Sequence, residues 1–125
     1  MTKEQAKEKA VAALKLVGLE QLADENPYDL ELSERKLVAI ASVLAMDTKV
    51  LILDEPTIAQ SWKGRKIIQK MIRNLSSQGK TVIAILHDMD FVAESFERVI
   101  VMAHGKVLAD GTKEEVFAQK DVLEQ

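Results

Sequence analysis

The stretch KVLILDE, residues 49–55, constrains this chain more than any other. Four aliphatic residues, Val50 to Leu53, run without a polar break into two adjacent carboxylates, Asp54 and Glu55, and Pro56 follows at once. An apolar run without alternation is expected of a parallel strand covered on both faces. Parallel strands need a long crossover, usually a helix. Lys63 to Ser77 supplies one, because Ile67, Ile68, Met71, Ile72 and Leu75 fall on one helical stripe and Gly79 stops it. TVIAIL, beginning at Thr81, then reads as a second buried strand.

The flanking segments fit the same class. A first helix is expected from Thr2 to Val17, with Ala10, Ala13, Leu14 and Val17 at helical spacing and Gly18 as its stop. ADENPYDLEL reads as a loop, since Pro27 biases Asn26 away from helix. Ser33 to Met46 reads as a second helix, so apolar in its later half that burial on most sides is expected. HDMDFVAESF turns into a short helix, and RVIVMAHGKVLADG is a hairpin turning at His104-Gly105. TKEEVFAQ opens with a capping box, Thr112 and Glu115. The sum is an α/β fold: a mostly parallel sheet flanked by helices, with a C-terminal β-hairpin and helix.

Composition removes several classes. At 125 residues the chain has room for one compact domain. With 47% hydrophobic and 30% charged residues it is globular rather than disordered. A net charge of -3 and no evident basic stripe argue against a nucleic-acid binder. No cysteine is present, so disulfides and thiolate metal sites are excluded. The longest apolar run, LVAIASVLAM, falls short of the ~20 residues that a membrane span needs. The charged start MTKEQAKEKA is no signal peptide.

In open α/β sheets ligands bind at the carboxyl ends of the strands. Both chemically loaded stretches lie there, Asp54-Glu55 after one strand and His87-Asp88 after the next. Two acids at a strand end suit metal-assisted phosphoryl chemistry, one holding Mg²⁺ and the other orienting or deprotonating a water. Taken alone, Asp54-Glu55 could equally start a turn before Pro56, and a lone histidine is more often structural than catalytic.

The combination is more specific. LILDEPT matches the Walker B strand of ABC-type ATPases, ILHDMDFV resembles their switch-histidine segment, and VMAHGKVLADGTKEEVF is similar to the tail of many ABC transport ATPases. The resemblance runs from about Ala10 to the C-terminus. It implies Asp54 as the Mg²⁺-side carboxylate, Glu55 as general base and His87 as γ-phosphate sensor. PYDL with VAIASVLAM resembles most the energy-coupling-factor subgroup of vitamin and metal importers.

The sequence also departs from the family pattern. NLSSQGKT imitates a P-loop, but Asn74 stands where the first glycine belongs, and the stretch follows a helix and opens a strand. It reads as a helix stop. With no other Walker A candidate, the resemblance implies the C-terminal half of a nucleotide-binding domain. Residues 1–30 would end the helical, signature-bearing subdomain, and residues 31–125 would carry Walker B, D-loop and switch histidine. An ungapped match puts Glu31, Leu32, Ser33 and Glu34 where the signature has Ser, Gly, Gly and Gln, and Ser61 replaces the D-loop aspartate. Ser33 is then the residue left to cap the second helix, and Ser33 and Ser61 are the remaining nucleotide-binding candidates. The degenerate signature implies one weak and one competent site.

The function implied is an ATP-binding and hydrolysing subunit of an importer at the cytoplasmic face of the cell membrane, using ATP and Mg²⁺. Expected partners are a second ATPase domain and transmembrane subunits, with no nucleic acid. Without a Walker A half the chain is expected to be inactive alone and to self-associate through an exposed strand edge. The alternatives are a soluble ABC-type ATPase of DNA repair or translation, and a non-catalytic docking module derived from an ATPase.

Overall fold

The computed structural model describes residues 1–119, and residues 120–125, the end of the expected ATPase core, lie outside the described residues. The chain divides into two compact units, Met1–Leu86 and His87–Gln125.

The first unit contains α1 (Lys3–Leu16), α2 (Leu32–Leu44), β1 (Val50–Asp54), α3 (Trp62–Ser77) and β2 (Thr81–Ile85). Thr2 caps α1, its hydroxyl accepting the Gln5 N–H at 3.1 Å while Gln5 Oε1 accepts the Thr2 N–H at 2.9 Å. The stops of α1 and α3 are Schellman motifs. Leu19 N–H donates to Leu14 O after α1, and Lys80 N–H to Leu75 O after α3. Gly18 and Gly79 take φ of 71° and 82° there, values a Cβ would disfavour. The loop before α2 holds a short 3₁₀ turn, Pro27–Asp29, with Asn26 extended as the following proline requires.

β1 and β2 pair in parallel, Val50 with Thr81 through Asp54 with Ile85. α3 packs against β2 and buries Ile68, Met71, Ile72 and Leu75. Leu51 and Leu53 are buried with them, whereas Val50 (50%), Ile52 (64%), Ile83 (48%) and Ile85 (51%) are exposed. The expectation of strands covered on both faces is therefore corrected. Two strands present two faces, and within this unit only one meets a helix. Among the described residues β2 pairs with β1 alone. α2 is also less buried than expected, with only Leu37 and Ala41 buried, while Val43 and Met46 are 41% and 69% exposed. It rests on α1 through one narrow stripe, to which α1 contributes Ala13.

The second unit contains α4 (Met89–Ser95), β3 (Arg98–Ala103), β4 (Lys106–Thr112) and α5 (Lys113–Phe117). β3 and β4 form the expected hairpin, closed by His104 and Gly105 at φ of 52° and 73°, with a bulge between Val101 and Met102. A two-residue loop with both φ positive matches the twist of the flanking strands. Arg98 grips Asp110 with two nitrogens, at 3.0 and 2.8 Å, and this bonding holds the Asp110 carboxyl below its usual range. Thr112 caps α5 as expected, accepting the Glu115 N–H at 3.3 Å. The described strands thus form one parallel and one antiparallel pair.

The buried stripe of α3 should dominate the stability of the first unit. Ile68 is fully buried, so Ile68→Ala is expected to cost about 2–5 kcal/mol in urea unfolding. Ile52→Thr, on the bare face, is expected to change stability by less than about 0.5 kcal/mol. Equal losses for the two would contradict this division of the sheet.

Candidate functional site

Backbone hydrogen bonds, rather than side chains, set the carboxylate pair. Asp54 is the last residue of β1 and is exposed. Glu55 comes next, and its N–H donates to Ile85 O at 2.9 Å, which extends the ladder by one bond. Glu55 then turns to φ 48°, and Ile58 N–H returns to Glu55 O at 3.3 Å. The left-handed turn sends the chain away from the strand direction immediately after Asp54. Pro56 and Thr57 are buried behind the two acids, and Glu55 is half-buried. Two adjacent carboxylates therefore differ in surroundings, as separate roles require.

Ser61 ends this loop as the N-cap of α3, its hydroxyl oxygen accepting the Gly64 N–H at 3.2 Å. Ser33 does not cap α2. The N-cap is Glu31, whose N–H donates to Glu34 Oε2 at 3.1 Å, and Ser33 lies two residues inside the helix. The helix end that resembles a signature segment is therefore occupied by its own carboxylates. Such an end carries partial positive charge that would otherwise attract an anion.

The P-loop imitation is resolved as a helix stop. Gly79 terminates α3, Lys80 forms an ion pair with Asp47, and Thr81 opens β2. The Lys80 amine, by hydrogen bond and charge, holds the Asp47 carboxyl below its usual range. A phosphate cradle needs consecutive free N–H groups at a helix start, and here those groups close a helix end instead.

His87 opens the second unit and is exposed, followed by Asp88, whose carboxylate caps α4 by accepting the Phe91 N–H at 3.1 Å. The structure thus brings Asp54 and Glu55 together and places Ser33 and Ser61 in the same unit, with His87 in the other. Among the described residues no group of three or more acidic, histidine or cysteine side chains is arranged to hold a metal ion. A single carboxylate nevertheless suits Mg²⁺, which takes one or two protein oxygens beside phosphate oxygens and water.

Two residues connecting this region went unnoticed in the sequence. Gln60 Nε2 donates to Ser33 O at 3.1 Å, and Lys36 Nζ donates to Ile58 O at 2.8 Å. Gly64, an unlikely choice for the first turn of a helix, was the available signal.

Residues 1–58 match the family model described as ABC transporter. The energy-coupling factor transporter ATP-binding protein EcfA2 of Streptococcus agalactiae is 40% identical over 121 residues, which are 96% of this chain and 43% of that protein. EcfA2 of Methanospirillum hungatei is 41% identical over 122 residues, covering 98% of this chain and 31% of its own length. The solved structure of cbiO1 from Clostridium perfringens, described as part of the ABC transporter complex cbiONQ, superposes with a TM-score of 0.83. It is 38% identical and is matched over 99% of this chain and 50% of its own. The chain resembles the ABC transporter ATP-binding proteins and has the α/β fold of their ATPase domains. Among them it is similar to the energy-coupling factor ATP-binding proteins, and it spans about half the length of the relatives it matches or less. No helix among the described residues is long and apolar enough to cross a membrane.

The capping assignment is open to a direct check. Glu34→Ala removes the acceptor of the Glu31 N–H and should cost about 0.3–1.5 kcal/mol in thermal or urea unfolding. Ser33→Ala should cost less than Glu34→Ala. The reverse order would restore Ser33 as the cap.

Proposed function

We propose that this chain is the part of an energy-coupling-factor type ATP-binding subunit that carries the Walker B strand, the D-loop position and the switch histidine. The observation that carries this reading is the Asp54-Glu55 turn, fixed to β2 by the Glu55 N–H to Ile85 O bond. In this reading Asp54 holds Mg²⁺ and Glu55 is the general base for the attacking water. His87 senses the γ-phosphate, and Ser33 and Ser61 offer hydroxyl groups to nucleotide. Mg²⁺, when bound with ATP, neutralises charge developing on the phosphates. The rigid ladder under Glu55 keeps its carboxylate oriented without reorganisation.

Residues 1–30 then belong to a helical subdomain and residues 31–125 to the ATPase core. The partners in this reading are a second ATPase domain and transmembrane subunits, which place the assembled protein at the cytoplasmic membrane face. α3 does carry five basic residues and no acidic one, Lys63, Arg65, Lys66, Lys70 and Arg73, so the sequence reading overlooked a cationic helix. The transporter relatives nevertheless favour the importer over a nucleic-acid ATPase. The bare β1–β2 face and the open β2 edge support self-association of the chain, since such edges recruit further strands. Light scattering after size exclusion checks this, and a stable monomer would remove it.

The chain alone is expected not to hydrolyse ATP, because its only P-loop-like stretch closes a helix. The decisive experiment joins it to the first half of an EcfA2 relative. In that protein Glu55→Gln should retain nucleotide binding and lower turnover by about 10²–10⁴-fold, the range for general-base terms. His87→Ala should also lower turnover with binding retained. Parental rates in both variants would sink the assigned roles.

A further inference from the structure

The loop between β1 and α3 breaks several local rules at once. Glu55 and Ala59 adopt left-handed backbone conformations, φ 48° and 62°, although both carry a Cβ. Such residues persist where their surroundings over-determine them. Gly64 is buried in the first turn of α3, where glycine is a poor helix former. The Gln60 amide oxygen is buried and accepts no hydrogen bond. The last two features share one cause. A Cβ on Gly64 would stand 2.2 Å from Gln60 Oε1 and 3.2 Å from its Cδ, so glycine leaves room for the amide in the position that its bond to Ser33 O holds.

The other end of that amide is engaged. Gln60 Nε2 donates to Ser33 O at 3.1 Å, and a carbonyl oxygen can accept only from the NH₂, so the amide orientation is fixed. Lys36 Nζ donates to Ile58 O at 2.8 Å. Ser33 and Lys36 lie one turn apart on α2, so the helix holds the loop at two points. A well-packed apolar side chain could fill the space of Gln60 without leaving a buried acceptor unmet, which costs free energy. What it could not provide is a directional bond from the loop to the first turn of α2. Local rules broken without a gain in packing mark functional positions.

We propose that Gln60 is a positioning residue, with Gly64 making room for it and Lys36 as a second anchor. Together they couple the first turn of α2 to the turn that aims Glu55. The inference rests on the reading of Glu55 as general base. Ser33 and Glu55, two candidate site residues on different elements, become parts of one mechanical unit. A displacement at the α2 end is transmitted through Gln60 and Ile58 to the Glu55 turn.

The test uses amide hydrogen exchange in the 125-residue chain. Gln60→Met keeps the side-chain length but removes the donor, and Lys36→Met removes the second anchor. Each should speed exchange at the Glu55, Ile58 and residue-60 amides on the order of tenfold or more while leaving the amides from Ile68 to Leu75 unchanged. Gly64→Ala should lower Tm in the parent but leave it unchanged or raise it in a Gln60→Ala background, where the collision is gone and alanine favours the helix. In the protein joined to an EcfA2 first half, Gln60→Met should lower kcat with the KM for ATP unchanged. Unchanged loop exchange, or a Gly64→Ala penalty equal in both backgrounds, would overturn the proposal. So would a loosened loop with kcat unaltered, which would leave Gln60 a packing residue. If no joined protein hydrolyses ATP, the Glu55 reading fails separately, and exchange at the Glu55 amide together with the Gly64 rescue still decides whether the link exists.

Discussion

The hydrogen bond from the Glu55 N–H to Ile85 O carries the parallel ladder one step beyond β1, and the candidate site depends on that step. Without it Glu55 would be a loop residue on a long charged side chain. With it, the backbone on either side of the Asp54–Glu55 peptide is anchored to a neighbouring strand. The register that pairs Asp54 with Ile85 also keeps Leu51 and Leu53 on the buried face of the strand pair. A slip of one residue would exchange the buried and bare faces. The buried face of the strand pair thus fixes where two acids stand.

The elements were largely legible in the sequence. Stops at Gly18 and Gly79, the hairpin turn at His104-Gly105 and the Thr112 cap follow from local chemistry that few alternatives satisfy. Asn74 at the first glycine position and the order of elements both speak against a P-loop at NLSSQGKT, and the Schellman bonds around Gly79 bear that out. What misled was the uniform apolar run of β1 and β2. Periodicity reports which residues want burial, not which partner supplies it. Ile52 and Ile83 are as aliphatic as Leu51, yet they stand exposed. The cap of α2 was misread for another reason. Serine is the better intrinsic cap, but Glu34 reaches back to the Glu31 N–H and moves the helix start two residues earlier. The Gln60 link was invisible because its two ends lie 27 residues apart.

The start of α2 and the start of α3 solve similar problems with opposite means. Both helices expose N–H groups that need acceptors. α3 uses the neutral Ser61 hydroxyl, which leaves its positive end open to an anion, whereas α2 spends two carboxylates and screens its own dipole. The two helix starts of one unit therefore present unlike electrostatic faces.

The β1–α3–β2 arrangement also has a kinetic consequence. Its parallel pairing joins residues 31 apart, Val50 with Thr81, whereas the β3–β4 hairpin joins residues as few as 3 apart, Ala103 with Lys106. Units of low contact order form early, because little chain entropy is lost before contacts repay it. The hairpin can therefore assemble before the crossover has settled. Asp54 and Glu55 would then be placed late, once α3 has formed and the two parallel strands have met.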